Sequence, residues 1–172
     1  MERVRPWLDR LHEQKGSIWY GRSKLGPASA LLAEHGELKQ LGPDAGVVHA
    51  TLPHHIDMIF AAGDRLVVVE SKKVGDFLSS WGAGRLARQI TTLLETGCVP
   101  LLLLRCAAVP LLEGPSGKGR TTWWSDLVRY QQLGVTVAFG PARDAAVPGC
   151  LAGLKPALAG GRNPLAALKR TD

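Results

Sequence analysis

Four residues near the middle of the chain have types and spacing suited to phosphate chemistry: Asp57, Glu70, Lys72 and Asp76. Asp57 lies in one apolar run. Glu70 closes a second, whose Val67, Val68 and Val69 follow the turn signal Ala62-Gly63-Asp64. A β-branched run after such a turn predicts a buried strand over 66–70 with Glu70 at its C-terminal end. Side chains alternate along a strand, so Glu70 and Lys72 share a face while Ser71 offers its backbone carbonyl between them. Two carboxylates, Asp57 and Glu70, and the Ser71 carbonyl oxygen suit a hard cation such as Mg²⁺, which keeps several waters and needs only partial protein ligation. Mn²⁺ accepts the same oxygen donors and is expected to substitute. An ammonium beside such a site, here Lys72, can orient or help deprotonate a water that attacks phosphorus.

In sequence order these residues and their neighbours resemble the XPF-type branch of the PD-(D/E)XK nuclease superfamily. That branch reads GDY, then ERKxxxD, then GRLxxQ. Asp57 fits the first motif, Glu70-Ser71-Lys72-Lys73-Val74-Gly75-Asp76 the second, and Gly84-Arg85-Leu86-Ala87-Arg88-Gln89 the third. The resemblance spans 18–146, with specific motifs confined to its middle. It implies a restriction-endonuclease-like α/β fold and a Mg²⁺-dependent endodeoxyribonuclease with Asp57, Glu70, Lys72 and Asp76 as catalytic residues. The substrates it implies are branched, flap or Holliday-type DNA. It also implies a homodimer, or a heterodimer with a related subunit, in which helices after the GRLxxQ segment pack across a two-fold. Two alternatives share the core motif: an archaeal-type Holliday junction resolvase making paired cuts, and a catalytically weak DNA-binding scaffold or subunit that needs a partner.

The branch's first strand usually ends in D-x-R-E. Placing that strand over 17–20 aligns the motif with Tyr20-Gly21-Arg22-Ser23, which keeps only Arg22 and makes Glu34, on an expected helix over 27–35, the substitute carboxylate. One metal rather than two is the expectation, unless Glu34 reaches in to hold a second. Ser71 replaces the middle Arg of ERK, and Lys73 points away from Lys72 toward solvent or phosphate. Arg85 and Gln89, four residues apart on one helical face, are expected to reach the carboxylates or the scissile phosphate together. Arg88, Lys118 and Arg120 complete the expected phosphate contacts with Lys73 and Arg85.

Those residues need a scaffold. Periodicity and punctuation predict an N-terminal helix over 6–15, strands over 17–20, 46–51, 56–60 and 66–70, and a helical stretch over 75–96 broken near Gly82. A buried strand over 99–104, a helix over 123–133 and a strand over 135–139 follow. Alternation at this spacing implies a mostly parallel or mixed sheet with helices on both faces. The organisation expected is a helical extension (1–16), a nuclease domain (17–146) and a basic C-terminal extension (147–172) too short for a tandem helix-hairpin-helix module. The loop over 109–121 contains GPSGKG, but Leu112 and Gly119 occupy positions where a phosphate loop needs Gly and Ser/Thr, so no nucleotide cofactor is expected. His54 and His55 alternate across a strand and read as neither zinc nor other metal ligands.

At 172 residues the chain is long enough for one α/β domain with a substantial core. A net charge of +6, from 21 basic against 15 acidic residues, favours a polyanionic partner. Three cysteines without C-x-x-C spacing read as reduced thiols of an intracellular protein, located with DNA in cytoplasm, nucleoid or nucleus. The longest apolar run, 99–104, is far too short to span a membrane.

Overall fold

The structure is a computed structural model describing residues 31–52, 56–62, 65–106 and 120–159. The expected helix over 6–15, the expected strand over 17–20, Arg22, His54, His55 and Lys118 lie outside the described residues. So does the side chain of Arg120, whose backbone opens a helix.

The described elements, in order, are β1 (Leu31–Ala33), β2 (Val47–His49), β3 (Met58–Ala62), β4 (Arg65–Lys73), α1 (Val74–Gly82), α2 (Arg85–Glu95), β5 (Val99–Arg105), α3 (Arg120–Gln132), β6 (Thr136–Gly140) and α4 (Val147–Leu158). The six strands form one mixed sheet in the order β2-β1-β3-β4-β5-β6. Antiparallel pairing joins β1 to β3 and β3 to β4, while β4, β5 and β6 run parallel and β1 pairs parallel with β2. This is the α/β architecture expected, with helices on both faces.

Its strands are near-continuous apolar runs because both sheet faces are covered. On one face, Leu32, Ile59, Val68, Leu102 and Leu104 pack under Phe77 of α1, Leu86, Ile90 and Leu93 of α2, and Trp123 and Leu127 of α3. On the other, Leu31, Met58, Phe60, Val67, Val69, Leu101 and Leu103 pack against Val147, Leu151 and Leu158 of α4. Burying a side chain such as Phe77 contributes roughly 2 kcal/mol. The helix α4 falls in a stretch where neither periodicity nor punctuation predicts an element.

One expected element is wrong, and it bears on the site. Leu31–Ala33, inside the expected helix over 27–35, is a strand hydrogen-bonded to both β2 and β3. All three residues are buried, so the segment shows no alternation that would distinguish a short buried strand from a helix turn. The helix propensity of Ala and Leu is overridden by sheet pairing. The predicted break in the long helix is real: α1 ends at Gly82, and Gly84 takes φ +67°, a left-handed conformation open to glycine.

Candidate active site

The central feature is a strand that outlasts its neighbour. β3 pairs with β4 only as far as Met58 opposite Val69, and the Asp57 amide closes the ladder on the Val69 carbonyl at 3.1 Å. β4 continues to Lys73, held on its other side by β5 through Lys72 opposite Leu104 and Lys73 opposite Arg105. The next amide facing the vacated side is that of Ser71, and Asp57 Oδ2 accepts from it at 2.7 Å. Amide and carbonyl of one strand residue point to the same side, so the Ser71 carbonyl also faces the gap where Asp57 lies.

Glu70 is 1% exposed. Lys72 Nζ donates to its Oε1 at 2.5 Å, and Gln89 Nε2, from α2, donates to the same oxygen at 2.6 Å. Burial pushes the Asp57 carboxyl up to about 7, and repulsion from Glu70 adds to it while the Ser71 amide opposes it. Burial also raises Glu70, against the stabilising hydrogen bond from Lys72. Two carboxyl groups that resist simultaneous ionisation in a closed setting form a donor set that a divalent cation would relieve. Among the described residues Gln89 Oε1, on the Glu70 side of the sheet, and Ser71 Oγ, on the side that alternates with it, are both buried without hydrogen-bond partners. Among the described residues no three His, Cys, Asp or Glu side chains converge as a metal cluster. The two carboxyl groups and the Ser71 carbonyl suit a cation that takes few protein ligands and keeps its water.

The glutamate that sequence reasoning missed is Glu37. The strand β1 leads into Glu34-His35-Gly36-Glu37, which has acids at the first and fourth positions of the D-x-R-E spacing and is a second candidate for that motif beside Tyr20-Gly21-Arg22-Ser23, which lies outside the described residues. Glu34 is not on a helix, and its carboxylate is turned away to accept from the Leu52 amide at 2.6 Å. Its own amide donates to the Asp57 carbonyl at 2.9 Å, which braces the backbone of Asp57. Glu37 instead raises both Asp57 and Glu70 by repulsion, and burial raises Glu37 itself. The following residue, Leu38, is buried at φ +47°, a left-handed conformation that costs an L-residue about 1–2 kcal/mol. The acid spacing was the available signal; the expected helix over 27–35 hid it.

Glu37 opens onto a cleft of about 110 Å³ lined also by Ser71, Lys73, Asp76, Arg105 and Asp144. Asp76, exposed in the first turn of α1, therefore sits on this cleft with Ser71 and Lys73, the β4 residues that alternate with Glu70 and Lys72. Lys73 is exposed, as expected. Of the expected pair on α2, Gln89 reaches Glu70, whereas exposed Arg85 donates to Ser79 Oγ at 3.2 Å. Arg88 is exposed on the same helix.

Neither a protein-family model nor a curated protein sequence matches the chain. Solved structures do. XPF from Aeropyrum pernix superposes with a TM-score of 0.58 at 17% identity, over 81% of this chain and 68% of that one. XPF from Aeropyrum pernix in complex with DNA superposes with a TM-score of 0.55 at 20% identity, over 84% of this chain and 68% of that one. The chain has the fold of an XPF-type nuclease domain.

Proposed function

We propose that the protein is a metal-dependent DNA endonuclease that hydrolyses phosphodiester bonds at branched, flap or junction DNA. The observation that carries this reading is the pairing of half-buried Asp57 with buried Glu70 at the frayed end of β3 and β4, with Lys72 bonded to Glu70. The fold shared with XPF, and the DNA bound to one of those XPF structures, support DNA as the substrate.

Asp57, Glu70 and the Ser71 carbonyl would hold one Mg²⁺ or Mn²⁺. When bound, the ion supplies charge that polarises the phosphate and lowers the pKa of an attacking water. The protein's own residues prepare that chemistry. The Ser71 amide fixes the rotamer of Asp57, and Gln89 with Lys72 holds Oε1 of Glu70, which leaves Oε2 for the cation. Lys72, only 13% exposed, keeps its ammonium beside the reacting phosphate, where it positions the water and offsets developing negative charge. Arg85, Arg88 and Lys73 are exposed around this corner and serve as phosphate contacts that carry little sequence information. Asp76 acts from the cleft through water rather than as a direct ligand.

Glu34 and Glu37, just after β1, supply carboxylates that speak for catalysis over a non-catalytic scaffold. The test is to incubate the purified protein with labelled single-stranded, duplex, flap, fork and four-way DNA in Mg²⁺, Mn²⁺ or EDTA. Cleavage of branched substrates in Mg²⁺ and Mn²⁺ alone is expected. Symmetric paired cuts in four-way DNA, with flaps untouched, would favour the resolvase; binding without cleavage would favour the scaffold.

A further inference from the structure

Arg105 ends β5 with its side chain only 2% exposed, and a charged side chain is seldom so buried without partners. Its partners lie on two sides. From the turn between β6 and α4, the Pro141 carbonyl accepts from Nε at 3.4 Å, the Ala142 carbonyl accepts from Nη2 at 2.9 Å, and Asp144 Oδ1 accepts from Nη2 as well. On the other side, Nη1 stands 3.8 Å from Glu37 Oε2. The first set locks the planar guanidinium, so its remaining edge presents a fixed positive charge to Glu37.

Glu37 needs such a charge. It is repelled by Asp144 and repels Asp57 and Glu70, and the backbone just after it is strained at Leu38. Arg105 is the largest attractive influence on it. We propose that Arg105 is a positioning residue that clamps the Glu37 carboxylate in the cleft it shares with Ser71, from where its charge, without direct ligation, strengthens cation binding at Asp57 and Glu70. The proposal rests on the nuclease reading and assigns a further role within the same site.

Its sign separates it from simple electrostatics. Removing a positive charge near a cation site strengthens cation binding by Coulomb's law. Removing a clamp that places a carboxylate weakens it. Mn²⁺ binding to the metal-free full chain, measured by titration calorimetry beside thermal melting in EDTA, reads the difference. Arg105→Gln is expected to weaken Mn²⁺ binding about ten-fold, the usual effect of removing an outer partner of a metal site. Arg105→Lys should fall between it and wild type. Glu37→Gln should weaken binding similarly, and the Glu37→Gln/Arg105→Gln double variant should be no weaker than Glu37→Gln alone, because one residue acts through the other.

Unchanged or tighter Mn²⁺ binding in Arg105→Gln, or effects that multiply in the double variant, would overturn the proposal. A purely structural arginine would lower the melting temperature equally in both backgrounds and leave the affinity of the folded protein unchanged, which also overturns it. Where Arg105→Gln does not fold, Arg105→Lys in the same cycle decides by the same criterion. Wild type that binds no Mn²⁺, or binds it no more tightly than Asp57→Ala, defeats the metal-site reading and this proposal with it; additive effects on intact wild-type binding defeat the clamp alone.

Discussion

Half-buried Asp57 is held by one hydrogen bond from the backbone and is repelled by the buried carboxyl of Glu70, so its charge is costly in the metal-free protein. Its folded pKa of about 7 lies above the ordinary 3.8, so the native state binds more protons than the unfolded chain between those values. Stability of the metal-free protein should therefore be greatest at the acid end of that window and fall as pH rises through it, by up to a few kcal/mol before levelling off above the folded pKa. Glu70 and Glu37 are also raised and contribute with the same sign. Asp144, lowered by its bond to Arg105, has the opposite sign but titrates below the window. Melting temperatures in EDTA across pH 4 to about 8 check this: Asp57→Asn should flatten the slope and melt higher than wild type at the alkaline end. A wild type that grows more stable with rising pH would show that the two carboxyls are not forced together.

At the scale of elements, the break between α1 and α2 aims Gln89 at Glu70. Gly84 makes that turn at φ +67°, and a Cβ there would meet no atom within 4 Å, so a substitution is opposed by backbone conformation alone. Gly84→Ala should cost about 1 kcal/mol, visible as a lower urea midpoint, and loosen the Gln89 bond, visible as weaker Mn²⁺ binding. An unchanged midpoint would mean that the turn relaxes without strain. This break was legible in the sequence because two glycines interrupt an otherwise helical pattern. The β4 motif was legible too, because β-branched residues lead directly into its charged exit. The strand β1 was not: Leu31, Leu32 and Ala33 are buried on both faces and carry no period, and Pro27 and Gly36 mimic helix punctuation. Glu37 was missed with it. Arg105 and Asp144 were illegible for a different reason: they lie 39 positions apart and meet only because β5 and β6 are adjacent.

Among the described residues a basic helix start is combined with an apolar sheet edge that no described element covers. Arg85 and Arg88 are exposed at the start of α2, and under the proposed phosphate contacts removing either side chain should lower the slope of log affinity against log salt by about one. An Arg85→Ala/Arg88→Ala variant should bind more weakly with a shallower slope and the same sequence preference; an unchanged slope would remove α2 from the DNA interface. At the far end of the sheet, edge strand β6 exposes Phe139 (46%), and α3 beside it exposes Trp124 (38%) and Val128 (49%), with the Trp124 and Phe139 rings 6.4 Å apart. Trp123 next to them is a buried anchor. An apolar helix face on an unpaired strand is suited to a second copy of the chain. Sedimentation should show a dimer that Trp124→Glu dissociates; a wild-type monomer at all concentrations would exclude this arrangement. Among the described residues no helix is long and apolar enough to cross a membrane.

The central claim is that Asp57 and Glu70 bind the cation that makes this fold cut DNA. The measurement that tests it most directly is the single-turnover cleavage rate of a labelled flap substrate in Mg²⁺ for wild type, Asp57→Asn and Glu70→Gln, with folding verified by melting. Both substitutions preserve shape and remove charge. The account predicts EDTA-sensitive cleavage by wild type and rate reductions on the order of 10³-fold in each variant, with both proteins folded. Cleavage at the wild-type rate by folded Glu70→Gln, or by wild type in EDTA, would contradict it.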